Sequence, residues 1–281
     1  AGVDLFVGVS NDAVNFMNSA IGAKVARFRT VLIVASVGIV AGAMLSAGMM
    51  DVARHGIMQP AYYSFSEVTM LFLAVMVTDV IVLDVFNSRG MPTSTTVSLV
   101  FELLGGTFVL ALLKMSTDGS LEMSDLLNSS KALSVIIAIF VSVALAFVTG
   151  AVVQWISRLI FTFRPHRHPY AEAFFGGIAF TILSYFIFIK RLAGTPLIGD
   201  ETKAWIAQNT GMLLFCIFCV TTFISLCLVI VRVNIFRLVV LFGTFALAMA
   251  FASNDLVNFV GVPLAGLSSF QDWMQHGATD P

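Results

Sequence analysis

Ser10-Asn11-Asp12-Ala13-Val14-Asn15-Phe16 returns near the other end of the chain as Ser253-Asn254-Asp255-Leu256-Val257-Asn258-Phe259, with six of the seven positions identical. Each copy sets two amides and one carboxylate into an otherwise apolar segment. The heptad is not low-complexity sequence, and an internal repeat constrains architecture before any single residue does.

The surroundings of the heptads define the class. Of 281 residues, 58% are hydrophobic and 11% are charged. Soluble domains carry about 25% charged residues. Mean hydropathy is +0.96. The apolar runs are long and lack period-2 alternation, so they are membrane helices and not barrel strands. The net charge of -1 argues against a nucleic-acid partner. Cys216, Cys219 and Cys227 all lie in one apolar run. With no second pair and no nearby His to complete a metal site, they read as buried, inert thiols. The chain opens at Ala1 with no initiator Met and no signal peptide, and reads as a portion of a longer protein.

Windows of about 20 apolar residues place spans at about 4–23, 30–50, 67–87, 93–113, 132–157, 171–189 and 209–231. An eighth begins near Phe236 and runs into the second heptad. Gly38, Gly42 and Gly48, with Ala41, Ala43 and Ser46, suit close helix packing in the second span. Trp155, Trp205 and Trp273 fit interfacial positions.

The loops test this count. Segments 24–29, 87–91, 158–170 and 232–237 hold nine Lys/Arg and no acid. The alternate segments 51–66, 114–131 and 190–208 hold six Lys/Arg together with six acids. The positive-inside rule then makes the first set cytoplasmic and the amino end extracytoplasmic. The first heptad's helix runs inward and the second's runs outward, so the two copies are expected to be antiparallel. Inverted repeats of this kind build midplane sites in secondary transporters. The expected fold is an all-α integral membrane bundle with an inverted repeat and helices broken at the midplane. Residues 1–131 form the first repeat, 132–231 the connecting helices, and 232–281 the start of the second repeat.

An ionised carboxylate at membrane depth costs several kcal/mol unless it is paired or coordinates an ion. Asp12 and Asp255 are therefore candidates for cation or proton binding. Asn11, Asn15, Asn254 and Asn258 add amide oxygens beside them, and hard oxygen ligands suit Na⁺. Na⁺ is expected at Asn11, Asp12, Asn254 and Asp255, with no other cofactor. Gly8, Gly22, Gly261, Pro263 and Gly266 let the helices break. A second constellation is Gly90-Met91-Pro92-Thr93-Ser94-Thr95-Thr96. Pro favours a helix start, and the helix N-terminus with its hydroxyls forms a neutral cradle for an oxyanion. Asp79, Asp84 and Glu102 are further intramembrane acids that line an ion path or pair inside the bundle. Arg89 reads as an interfacial anchor, and residues 164–169, with two His, as a solvated loop. His55, His166, His168 and His276 all fall in loops or the tail, which counts against an intramembrane enzyme.

The two heptads resemble the repeated Gly-x-Asn-Asp-x-x-Asn signature of the inorganic phosphate transporter (PiT) family. Residues 90–96 resemble that family's Gly-Leu-Pro-x-Ser-Thr-Thr segment. Three motifs occur in the family's order. The resemblance implies cation-coupled phosphate symport, with Na⁺ or H⁺ as the coupling ion. It implies phosphate contacts from Asp12, Ser94, Thr95, Thr96 and Asp255, and cation binding at Asn11, Asp12, Asn15, Asn254, Asp255 and Asn258. Ser10 and Ser253 stand where the family has small apolar residues or Gly nearby, Val97 where it has His or Gln, and Asn18 where it has Gly. A second Pro-x-Ser-Thr-Thr segment, expected after the second signature, is absent from these residues, so the second repeat is expected to be truncated.

The function expected from the residues and the resemblance together is phosphate import by a multi-pass protein of the plasma (inner) membrane. The alternatives are symport of sulfate or another tetrahedral oxyanion, and an ion channel. The expected partners are phosphate, Na⁺ or H⁺, the bilayer and a second copy in a homodimer.

Overall fold

The computed structural model describes residues 2–45, 62–117, 121–161, 169–191, 198–256, and residues 267, 270, 271 and 274. Ten α-helices are found among them: α1 (Gly2–Gly22), α2 (Phe28–Met44), α3 (Phe65–Ser88), α4 (Thr95–Thr117), α5 (Met123–Leu126), α6 (Ser129–Phe161), α7 (Pro169–Ser184), α8 (Asp200–Gln208), α9 (Thr210–Ile230) and α10 (Ile235–Asn254). A π-helical turn, Tyr185–Arg191, continues α7. The chain is an all-helical, multi-pass membrane protein. Six helices, α3, α4, α6, α7 with its π turn, α9 and α10, are long and apolar enough to cross a bilayer. As described, α2 is shorter, at 17 residues. α1 is diluted by Asp4, Asn11, Asp12, Asn15 and Asn18. Gly48, His55, His166, His168, Trp273, His276 and the glycines and proline of 261–266 lie outside the described residues.

Local chemistry sets the helix ends. Ser64 caps α3 in a capping box with Glu67, whose carboxylate reaches back to the Ser64 N–H at 2.7 Å. At the other end of α3, the Gly90 N–H donates to Asn87 O and the Met91 N–H to Phe86 O, at 3.0 and 2.9 Å. This pair of bonds is a Schellman motif, and it needs a left-handed residue at position 90. Gly90 supplies it, with φ of +66°. Pro92 then prevents the helix from resuming. The sequence Ser88-Arg89-Gly90-Met91-Pro92 thus stops one helix just before Ser94 opens the next.

The chain divides into two compact units that interleave its segments. One comprises Ala1–Asn15, Gly48–Ala144 and Asn254–Pro281, the other Phe16–Ala47 and Leu145–Ser253. Both dividing points near the ends of the chain fall inside or at the edge of a heptad. In the first unit, Leu71, Phe72 and Val75 of α3 pack on Val100 and Leu103 of α4. Near the start of α3, Lys114 bonds Glu67 at 2.7 Å and sits 5.2 Å from the centre of the Tyr63 ring. In the second unit, Ile187 packs with Ala246 and Met249, and Ala173 with Val229 and Ile235. The Phe16 and Phe251 rings lie 5.5 Å apart, tilted by 34°. A cavity of about 620 Å³ opens in this unit among residues such as Ile33, Val37, Phe180, Leu238 and Phe242. Its walls carry no charged side chain, so it is unsuited to an oxyanion.

One sequence expectation fails here. Cys216, Cys219 and Cys227 are exposed and not buried. In a membrane protein the outward surface is itself apolar, so an apolar run does not identify an inward face. Helix α6 shows this fully, since of its 33 residues only Ala132 is buried.

Helices α2 and α10 meet through glycine. A Cβ at Gly38 would lie 2.6 Å from Phe245 O, and one at Gly42 would collide with Met249 O. The spacing of four places both glycines on one face, which lets the two backbones touch. Gly42→Val is expected to force the helices apart at a cost of about 1–3 kcal/mol. A lowered melting midpoint of the detergent-purified protein, measured by size exclusion after heating, checks this.

Candidate functional site

The site is built on the loop between α3 and α4. Ser94 accepts the Val97 N–H at 3.4 Å and so opens α4. Thr95 and Thr96 occupy the first turn, where helix N–H groups lack intrahelical acceptors. Thr95 is 2% exposed.

Asn11 holds this loop in place. Its Nδ2 donates to Asn87 Oδ1 at 2.9 Å and to Met91 O at 3.1 Å. Its Oδ1 accepts the Thr93 N–H at 2.7 Å. Asn87 donates in turn to Val7 O at 3.0 Å. One buried amide therefore ties α1 to the end of α3 and to the backbone on both sides of Pro92. Asn15 donates to Asp12 Oδ1 at 3.1 Å and to Thr93 O at 3.5 Å. Asn87 was not singled out in the sequence. The available signal was an amide in the last turn of a membrane helix.

Asp12 is 4% exposed, and its Oδ2 has no hydrogen-bond partner. The hydroxyl of Thr95 is likewise buried and unpartnered. The two side chains are neighbours, and Asp255 lies within electrostatic reach of Asp12. Thr96 Oγ1 donates to Asp255 Oδ1. Among the described residues Asp12 forms no ion pair. The aspartates of both heptads thus meet the hydroxyls of one helix N-terminus. The described acids and thiols include no cluster of three or more able to hold a metal ion. A cation here would draw on one carboxylate with amide, hydroxyl or backbone oxygens, a set that fits Na⁺.

Other expected site residues fall elsewhere. Asn254 is half-buried at the end of α10, and Asn258 lies outside the described residues. Asp79 is buried, at 3% exposure, and Glu102 is half-buried and accepts the Ser98 hydroxyl at 2.7 Å. Asp84, on the same helix as Asp79, is exposed.

Removing the Asn11 amide would strand the Thr93 N–H, the Met91 carbonyl and the Asn87 amide. Asn11→Ala is therefore expected to cost about 1–3 kcal/mol through partly buried groups left unpaired. A drop in melting midpoint larger than that of Ser10→Ala, whose hydroxyl is exposed and bonds only Phe6 O, checks the assignment.

A family profile described as phosphate transporter family matches residues 8–279. No curated protein matches the chain. A solved structure named "The sodium-dependent phosphate transporter" superposes with a TM-score of 0.72 at 19% identity, covering 98% of this chain. The chain spans 66% of that structure's length. At that identity the likeness speaks for the fold.

Proposed function

The chain belongs to the phosphate transporter family, and on that premise we propose that it serves as the core of a transporter that carries inorganic phosphate into the cell together with a cation. The observation that carries this reading is the neighbouring position of the Asp12 carboxylate and the Thr95 hydroxyl. Asp12 Oδ2 and Thr95 Oγ1 are both buried and unpartnered, and they lie beside Thr96 and Asp255 at the N-terminus of α4. A carboxylate left bare at membrane depth is costly, so Asp12 calls for a cation or a proton. The Thr95 hydroxyl and the helix N-terminus call for an anion.

In this reading Asp12, Ser94, Thr95, Thr96 and Asp255 contact phosphate. Asn15, Asn254 and Asn258 help hold the cation near Asp12 and Asp255, while Asn11 keeps the loop in register. The cation binds first, because a phosphate dianion beside two ionised aspartates is strongly repelled until they are neutralised. The heptads act as the two arms of an inverted repeat, and movement of the repeats against each other exposes the site to each side in turn. The protein acts as a carrier and not as an enzyme, in the plasma membrane, and a homodimer is its working assembly.

Uptake of labelled phosphate into proteoliposomes, with Na⁺ and H⁺ gradients imposed separately and sulfate as competitor, tests the reading. Cation-driven uptake resistant to sulfate is expected. Asp12→Asn and Asp255→Asn are each expected to reduce it at least tenfold while the protein remains folded, about 1.4 kcal/mol or more in coupling. Unchanged cation-driven uptake in both variants would remove these carboxylates from the site.

A further inference from the structure

A second buried constellation lies in the same unit, and it includes a residue that the sequence did not single out. Asp4 of α1 is 3% exposed, as is Asp79 of α3. Their carboxyl groups are neighbours, and Asp79 also neighbours the Ser98 hydroxyl. Ser98 donates to Glu102 Oε1 at 2.7 Å. Asp4 Oδ1, Asp79 Oδ1 and Glu102 Oε2 are buried with no hydrogen-bond partner. None of the three acids forms an ion pair among the described residues. The charged side chains acting on Asp4 are Asp79 from α3 and Glu102 from α4. Asp79 in turn acts on Asp12.

An ionised carboxylate only accepts hydrogen bonds, so two carboxyl groups in contact require a proton between them. Two adjacent ionised carboxylates in a low-dielectric interior would also repel strongly. Neighbouring carboxyl groups and a hydroxyl connect Asp4 and Asp79 through Ser98 to Glu102, an arrangement that holds and passes protons.

We infer that Asp4 and Asp79 share one proton and, with Ser98 and Glu102, form a proton-carrying site separate from the Asp12 and Thr95 cradle. Resting on the transport reading above, this assigns H⁺ a binding place of its own in the transport cycle.

Infrared spectroscopy of the reconstituted full chain at neutral pH tests the pair directly, whether or not phosphate moves. A protonated carboxyl stretch that shifts in heavy water is expected in the wild type. It is expected to change in Asp4→Asn and in Asp79→Asn, and to be lost in the double variant. Asp4→Glu, which keeps a carboxyl, moves the band without abolishing it, which guards against a variant that has merely misfolded. No such band in the wild type, or the same band in the double variant, overturns the proposal. Phosphate uptake under an imposed pH gradient is measured alongside. Uptake that follows a Na⁺ gradient but ignores the pH gradient removes the coupling role. If no phosphate moves at all, the transport reading fails, and the infrared result still decides whether the proton-sharing pair exists.

Discussion

A single buried amide holds the site together. Asn11 spends both of its N–H groups and its oxygen on the turn that joins α3 to α4. The turn has a Pro at its centre and a left-handed Gly before it, so its own backbone makes few internal bonds. Buried backbone groups must find partners somewhere. In a membrane interior, where water does not supply them, a neighbouring helix has to. The position of Thr95 and Thr96 therefore follows from α1 as much as from α4.

This dependence explains why the repeat matters chemically. The first heptad supplies the amide that fixes the hydroxyl-bearing turn and, one residue later, the carboxylate that faces it. Asp255 of the second heptad reaches the same turn through Thr96. Asn and Asp at adjacent positions on a helix point about 100° apart, so one can grip a loop while the other faces the space beside it.

Much of the fold could be read from sequence because a bilayer imposes few and simple demands. Long apolar windows marked the helices, and Ser88-Arg89-Gly90-Met91-Pro92 marked a helix end by known turn chemistry. The family was readable from three short motifs. What remained hidden depended on contacts between distant segments. Nothing around Asn87 shows that it bridges Asn11 and Val7. Asp4 reads as a polar residue at the start of a helix until Asp79 is found against it. The cysteines were misjudged because hydropathy separates membrane from water and does not separate helix neighbours from lipid.

Helix α6 carries one more consequence. At 1.5 Å per residue its 33 residues extend about 50 Å, well beyond a hydrocarbon layer of about 30 Å. A rod of that length must lean, or push its ends past the headgroups. Either response depends on how thick the host bilayer is, so α6 makes lipid chain length a mechanical load on the protein.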